Sequence, residues 1–400
     1  MQYRVMPKNG DRLSALGYGC MRLPEKDGAI DEERAMRQVR RSIDAGVNYV
    51  DTAWPYHGGQ SEPFVGRALG DGYREKVKLA TKLPSWMVES REDMDTFLNA
   101  QLEKLRTEQI DYYLVHCLVG DVWDAIVALG ITEFLDAAKA DGRIVNVGFS
   151  FHGAPDEFTR IVDAYAWDFC QIQYNYLDEE NQAGTKGLAY AASKGLGVIV
   201  MEPLLGGKLA SPVPAEVEAI WDEAAVRRTP AEWALRWVWN HPEVTLVLSG
   251  MNEEAHVEEN VRIAGEAEAN SLTEAELALV GRVEQTYRRL MKASCTGCRY
   301  CLPCPAGVAI PVCFELYNTM HMFGGADEAR FMYAVRLCGA ITGGEPGYAS
   351  QCVQCGLCLE KCPQHLAIPD LLAAVVADLE GPDLAAREAA ARQLFAKGPS

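Results

Sequence analysis

Ten of the thirteen cysteines in this 400-residue chain fall between Cys295 and Cys362. Eight of them form two runs, Cys295-x2-Cys298-x2-Cys301-x2-Cys304-Pro305 and Cys352-x2-Cys355-x2-Cys358-x3-Cys362-Pro363. Thiolates spaced by two residues on one loop can reach three irons of a cubane, and the fourth iron needs a cysteine from elsewhere. Zinc is the alternative, since C-x2-C pairs bind it too, but two adjacent quartets ending in Cys-Pro are poor zinc spacing. The expected chemistry is therefore ligation of two [4Fe–4S] clusters. Cys313 and Cys338 lie on helical segments and read as small buried hydrophobes.

A second constellation lies upstream. Three apolar runs end in ionisable residues that a core would not choose: Asn48–Asp51, Ala80–Lys82 and Tyr113–His116, with Tyr56 five positions after Asp51. An ammonium inside an apolar run needs a partner, because burying it unpaired costs about several kcal/mol. Asp51 is the obvious one. A free tyrosine titrates near ~10, and a neighbouring cation lowers that value, so Lys82 beside Tyr56 is expected to make the phenol a better proton donor.

The elements that must hold these groups repeat along residues 1–265. Strand candidates are residues 15–22, 48–53, 77–83, 110–118, 144–151, 169–177, 197–203 and 245–250. They are near-continuous apolar runs, as parallel strands covered on both faces should be. Helix-period stretches separate them, including 31–45, 90–105 and 229–240, the last two opening on Ser90 and Thr229 with an acidic residue three positions on. Eight strand–helix units in about 250 residues suit a closed (β/α)8 TIM barrel better than an open doubly wound sheet. No G-x-G-x-x-G turn follows the first strand, as the open nucleotide fold would usually show. Residues 1–12, with Asn9-Gly10, are expected to form a small hairpin.

Composition limits the partners. The net charge of −18 repels phosphate backbones and anionic lipid, which argues against nucleic acid and membrane surfaces. No apolar run reaches the ~18 residues of a membrane span, and the N-terminus lacks a signal-peptide core, so a cytoplasmic protein is expected.

The string Asp51-Thr-Ala, Tyr56, Ser61-Glu62, then Ala80-Thr-Lys82, then Leu114-Val-His116 resembles the aldo-keto reductase superfamily over about residues 1–290. That resemblance implies an NAD or NADP cofactor across the barrel top and a small carbonyl or alcohol substrate. It implies that Tyr56 protonates the developing alkoxide, Asp51 and Lys82 tune it, and His116 orients the carbonyl. It also implies nicotinamide contacts from Ser150, Gln171 and Met201. Pyrophosphate contacts would come from Leu204, Gly206 and Lys208, and adenine contacts from Glu259 and Asn260. Two positions depart from the family pattern: Phe151 replaces the usual Asn, and Met201 replaces a Tyr that stacks on the nicotinamide. NADP-preferring members place Lys or Arg near 251–260 for the 2′-phosphate, whereas this stretch has Glu253, Glu254, Glu258 and only His256, which points toward NAD. Met21, Trp54, Trp86, Cys117 and Leu118 are the expected pocket wall.

The cysteine-rich segment contains an internal repeat: Cys304 to Pro311 recurs as Cys362 to Pro369, each copy followed by a helical stretch. With its helical insert it resembles a helical-type dicluster ferredoxin domain over roughly 292–375. The resemblance implies exchange of the fourth ligand, so that Cys295, Cys298 and Cys301 share one cluster with Cys362. Cys352, Cys355 and Cys358 would share the other with Cys304. The first run has two residues before its last cysteine where the usual pattern has three, which bears on which cluster Cys304 serves. The expected division is a barrel at 1–290, a small, mainly helical ferredoxin-like domain at 291–375, and a C-terminal helix and tail at 376–400, fraying after Gly398.

Three functions follow from these readings. The first is a nicotinamide-dependent carbonyl reductase or alcohol dehydrogenase that also carries two clusters. The second is an iron–sulfur electron-transfer module coupling the barrel site to a redox partner protein; against it, a hydride carries two electrons, a cluster takes one, and no flavin motif divides them. The third, a redox-sensing regulatory protein, is disfavoured by the intact tetrad.

Overall fold

The computed structural model describes the chain except residues 211–212, 267, 296, 298–299, 340–344, 363 and 396–400. Cys298, Pro363 and the terminal residues at which fraying is expected therefore lie outside the described residues. The chain divides into two compact units, one of residues 1–211 with 228–278 and one of residues 212–227 with 279–400.

The first unit is a closed barrel of eight parallel strands. They are β1 (Leu16–Gly19), β2 (Tyr49–Asp51), β3 (Lys78–Leu83), β4 (Ile110–Leu118), β5 (Ile144–Phe151), β6 (Phe169–Gln173), β7 (Gly197–Met201) and β8 (Val244–Ser249). Each pairs with its sequence neighbour, and β8 closes on β1. The sixth strand ends four residues earlier than the apolar run suggests. Tyr174, Asn175 and Tyr176 are buried, but they form a turn rather than a strand. Helices begin where their caps require: the Asp31 side chain accepts from Arg34 N–H, and Ser90 and Asp93 form a reciprocal capping box. The Thr229 side chain accepts from Glu232 N–H, with Pro230 in the first turn.

The barrel interior is a packed core. Tyr49, Ala80, Tyr112, Leu114, Phe169, Ile199, Leu246 and Leu248 fill it, and Met6 and Leu13 join them. Those two come from the expected N-terminal hairpin, in which Tyr3–Val5 pairs antiparallel with Arg12–Ser14. Gly197 makes room for the plug, since a Cβ there would stand 1.8 Å from Met6 Sδ.

The second unit is helical. It includes Ile310–Phe323, Ala326–Leu337, Ile368–Val375 and Leu384–Phe395, with a five-residue π-turn at Val376–Glu380. Phe314, Tyr333, Leu372, Val375, Leu379 and Ala391 belong to one buried cluster there. Cys313 and Cys338 are fully buried in it, as the sequence suggests. Among the described residues no helix is long and apolar enough to cross a membrane.

Candidate active site

Strand periodicity carries the core positions upward to the site. Successive residues of a strand face opposite sides, so i and i+2 share a face. Tyr49, Ala80, Leu114 and Phe169 fill the barrel interior, and two residues further on stand Asp51, Lys82, His116 and Gln171. These polar residues form the layer above the core at the C-terminal ends of their strands, where such barrels place their chemistry. The outward positions do other work. Thr81, between Ala80 and Lys82, donates to Glu62 at 2.7 Å, and Gln101 donates to Glu62 at 2.7 Å and to Lys82 O at 2.9 Å.

Lys82 is the hub of the inner layer. Its Nζ donates to Asp51 Oδ1 at 2.5 Å, to Thr52 O at 2.8 Å and to Tyr56 Oη at 3.3 Å. The Lys82 and Asp51 side chains are 1% and 4% exposed, so the pair is dry and neither charge is screened. Gln171 Nε2 reaches Asp51 Oδ2 at 3.3 Å. Burial alone would lower Lys82; the facing Asp51 and Tyr56 reverse the sign, and the ammonium is held above its ordinary value. Burial raises Asp51, with Lys82 and Gln171 pulling the other way.

Tyr56 corrects one expectation. Burial raises its phenol above the ordinary value; Lys82 pulls it down without cancelling that rise, and Asp51 adds to it. The cation makes a buried phenol less reluctant to ionise, but not more acidic than a free one, because desolvation of phenolate is the larger effect.

His116 sits within a bulge in β4: the register with β5 slips between Val115 and Leu118, and Cys117 takes a left-handed φ of 55°. The His116 ring lies 6.1 Å from that of Tyr56 and 5.2 Å from that of Trp86. Burial, then Lys82 and His152, hold His116 well below the usual histidine range, so its imidazole is neutral at physiological pH. Its Nδ1 is buried without a partner among the described residues. Tyr56, Lys82, Asp51 and His116 thus converge on one hollow. Trp86, beside His116, and Met21 are each about half exposed, whereas Leu118 is fully buried. Trp54 packs edge-on against Phe97, and Lys104 Nζ lies 3.2 Å from its ring centroid.

The remaining residues expected to hold a nicotinamide are distributed over four strand ends. Ser150 Oγ accepts from Cys117 N–H at 2.8 Å. Gln171 Oε1 is buried with no partner among the described residues, a free acceptor next to the hydrogen-bonded Nε2. Met201 is half-buried at the end of β7, and after it Glu202, Leu205, Gly206 and Gly207 all take positive φ. Leu204, Gly206 and Lys208 lie on this left-handed loop, in which the N–H groups of Leu205, Gly207, Lys208 and Leu209 donate to carbonyls of the loop itself. Glu259 accepts from Thr229 Oγ1 at 2.6 Å, and Asn260 donates to Ser249 Oγ at 2.9 Å. The orphaned Gln171 acceptor fits the carboxamide of a nicotinamide.

Near Glu253, Glu254 and Glu258 the structure adds cations that the local sequence lacks. Arg34, from the helix Glu32–Asp44, bonds both Glu253 and Glu254, and Arg41 of the same helix lies 2.8 Å from Glu258. Arg34 holds Glu254 at about 2. Two arginines against three carboxylates still leave this patch net negative.

In the second unit, two cavities are lined by thiols. The larger, about 250 Å³, is bordered by Cys301, Cys304, Cys352, Cys355 and Cys358. The smaller is bordered by Cys295, Cys301 and Cys362, with Ile310, Phe314 and Ile368. Among the described residues no three Cys, His, Asp or Glu side chains gather round a single ion position. Ringing a cavity is the donor arrangement that a cubane needs, since each thiolate meets a different iron.

Comparison with known proteins agrees with both halves. The profile of the aldo/keto reductase family matches residues 15–280, and that of a 4Fe-4S dicluster domain matches residues 294–367. The chain belongs to the aldo/keto reductase family. It is 28% identical over 311 residues to L-galactose dehydrogenase of Arabidopsis thaliana, covering 72% of this chain and 96% of that one. It is 26% identical over 296 residues to the methylglyoxal reductase YeaE of Escherichia coli, covering 70% and 95%. An aldo-keto reductase from Bacillus halodurans, in its holo form, superposes with a TM-score of 0.60 at 27% identity, covering 71% of this chain and 96% of that chain. Within this family the barrel is an oxidoreductase scaffold, and the dicluster domain extends it.

Sequence reasoning missed residues that touch the site only through the fold. Gln101, Lys104, Arg34 and Arg41 lie on helices, and nothing in their local spacing distinguishes them from other surface polar residues. His57 was a findable exception, since it directly follows Tyr56. It holds a left-handed φ of 51°, takes a hydrogen bond from Leu23 N–H at 3.1 Å, and lies 2.9 Å from Glu25.

Proposed function

We propose that the chain transfers hydride between a nicotinamide, NAD in preference to NADP, and a small carbonyl compound or its alcohol. The observation that carries this reading is the Tyr56 hydroxyl 3.3 Å from a buried lysine that is itself paired with Asp51. In the reduction direction Tyr56 donates its proton to the substrate oxygen as negative charge develops there. Lys82 stabilises the phenolate left behind, and Asp51 keeps Lys82 charged in a dry site. Neutral His116 offers an N–H to the same oxygen. When bound, the nicotinamide supplies the hydride, and Ser150, Gln171 and Met201 hold its ring while Leu204, Gly206 and Lys208 meet the pyrophosphate. Glu259 and Asn260 then lie on the adenine side. The relatives named L-galactose dehydrogenase and methylglyoxal reductase support a small, oxygen-rich substrate.

Cys352, Cys355, Cys358 and Cys304 would hold one [4Fe–4S] cluster, and Cys295, Cys301 and Cys362, with Cys298, the other. Cys301 borders both cavities, but Cys304 borders only the one lined by Cys352, Cys355 and Cys358, and Cys362 only the one lined by Cys295, which supports that assignment. Steady-state oxidation of NADH by methylglyoxal tests the hydride reading. Tyr56→Phe should lower turnover about 10²–10⁴-fold with NADH binding retained. Unchanged turnover overturns the reading.

A second reading has an observation of its own: Cys355 is exposed, between Val353 and Leu357 at 69% and 55% exposure. A cluster held there would have a solvent-facing edge for one-electron exchange with a redox partner protein. Anaerobic addition of NADH tests it, since bleaching of the visible cluster absorbance requires electrons to pass from the barrel site.

A further inference from the structure

Glu380 is a buried carboxylate, 5% exposed; Arg387 donates to its backbone carbonyl and pairs with Asp383, and among the described residues no cation forms an ion pair with the Glu380 carboxyl group. An apolar residue would be cheaper there unless the acceptor is needed, because an unpaired buried carboxylate survives only on strong hydrogen bonds. Its Oε1 accepts from the Tyr333 hydroxyl at 2.7 Å and from Ser350 N–H at 3.0 Å. The Tyr333 hydroxyl in turn accepts from Ala349 N–H at 2.8 Å. The backbone amides of Ala349 and Ser350, three and two residues before Cys352, therefore both end on this one pair.

Four features make the pair more than a local tie. Ala349–Gln351 is a single 3-10 turn, and Cys352 N–H closes back on Ala349 O at 3.0 Å, so fixing the turn fixes the first thiol of the second motif. Just upstream, Gly347 O accepts from Ala309 N–H at 3.0 Å and from Cys313 Sγ at 3.7 Å. Ala309 lies on the segment leaving Cys304, and a Cβ on Gly347 would come within 2.9 Å of the Ala309 Cβ, so the two segments are in direct contact. The Tyr333 and Tyr348 rings stack at 5.8 Å over the same stretch. Glu380 itself closes the π-turn, a wide-turn geometry often kept for a functional reason.

We infer that Glu380, acting through Tyr333, is the positioning residue for the larger thiol-lined cavity, holding Cys352 in register with Cys304 so that ligands from two motifs meet one cluster. The inference rests on the reading that these thiols hold a [4Fe–4S] cluster. It assigns Glu380 no contact with that cluster, and it predicts that losing the carboxylate harms one cluster and spares the other.

The full chain, purified anaerobically, tests this by iron and sulfide content and by the EPR spectrum after dithionite reduction. Glu380→Ala should retain about half the iron of the unsubstituted chain, and the spectrum of two interacting spins should become that of one isolated spin. Glu380→Gln keeps an oxygen acceptor and should restore both. Full iron with an unchanged spectrum in Glu380→Ala, or equal loss of both clusters, overturns the inference. Where Glu380→Ala fails to accumulate, Tyr333→Phe is read by the same two measurements and the same outcomes. An unsubstituted chain without iron would instead defeat the cluster reading beneath it.

Discussion

Gln171 on β6 donates to Asp51 on β2 across the mouth of the barrel at 3.3 Å, although the two strands are not neighbours in the sheet. That bond commits the amide nitrogen and leaves Oε1 buried and free. One side chain therefore ties the Asp51–Lys82 pair to the surface proposed for the nicotinamide. Gln171→Leu removes both interactions while keeping the volume. Leaving a buried partner unsatisfied costs about 1–3 kcal/mol, so NADH affinity should fall about 5- to 150-fold. Quenching of tryptophan fluorescence by NADH measures it.

The proton donor gives a pH signature. Tyr56 must be protonated to act in reduction, so activity should decline as pH rises through its pKa, which burial holds above the ordinary value. Lys82 is the cation that pulls this pKa down. In Lys82→Met the alkaline limb of kcat should move to still higher pH while its plateau falls. A limb that moves to lower pH would remove Lys82 from the proposed role. A pH profile of NADH-dependent methylglyoxal reduction reads both effects.

The barrel and the four convergent side chains were legible in the sequence because both depend on local pattern. Continuous apolar strands give the parallel sheet, and the two-residue period carries Ala80 to Lys82 and Leu114 to His116. Spacing likewise marked the cysteine runs. Long-range electrostatics was not legible. Whether burial or Lys82 dominates at Tyr56 depends on how dry the hollow is, and no motif records that. Arg34 and Arg41 reach Glu253, Glu254 and Glu258 only because their helix packs against the one beginning at Glu254. The early end of β6 escaped notice for a related reason, since buried aromatics such as Tyr174 and Tyr176 serve a turn as well as a strand.

Coenzyme choice should follow the patch that those helices form. Arg34 and Arg41 are already engaged by Glu253, Glu254 and Glu258, and the patch is net negative, so a 2′-phosphate placed against these carboxylates meets repulsion. NADH should bind at least about tenfold more tightly than NADPH. Glu254→Gln loosens the grip on Arg34 and removes one charge, which should narrow that ratio chiefly by improving NADPH. Parallel fluorescence titrations of the two coenzymes decide it, and a chain that prefers NADPH contradicts the proposal.

Stability should weaken on the acid side before carboxylates titrate. His116, His152 and His241 are all held below the usual histidine value, each chiefly by burial. A histidine depressed in the native state adds stability that is fully present above its unfolded pKa of ~6.5. That stability is lost as pH falls, because the unfolded chain takes up protons that the native one refuses. The urea midpoint followed by tryptophan fluorescence should therefore drop between pH 7.5 and 5.5. In His116→Gln, which cannot take up a proton in either state, the drop should be smaller. An equal drop in both proteins would show that His116 contributes nothing to it.

The thiols make a prediction about which losses stay local. Cys304 borders the larger cavity with Cys352, Cys355 and Cys358, Cys362 borders the smaller with Cys295, and Cys301 borders both. If ligands exchange between motifs in this way, Cys304→Ser and Cys355→Ser should remove the same cluster although they lie in different runs. Each variant should then hold about four irons per chain where the unsubstituted protein holds about eight. Cys362→Ser should remove the other cluster, and pairing it with Cys355→Ser should leave almost no iron. Pairing Cys304→Ser with Cys355→Ser should cost no more iron than either alone. Were each run to serve its own cluster, Cys304→Ser with Cys355→Ser would strip the chain, and Cys362→Ser with Cys355→Ser would not. Iron analysis of the two double variants separates these assignments without any assay of turnover.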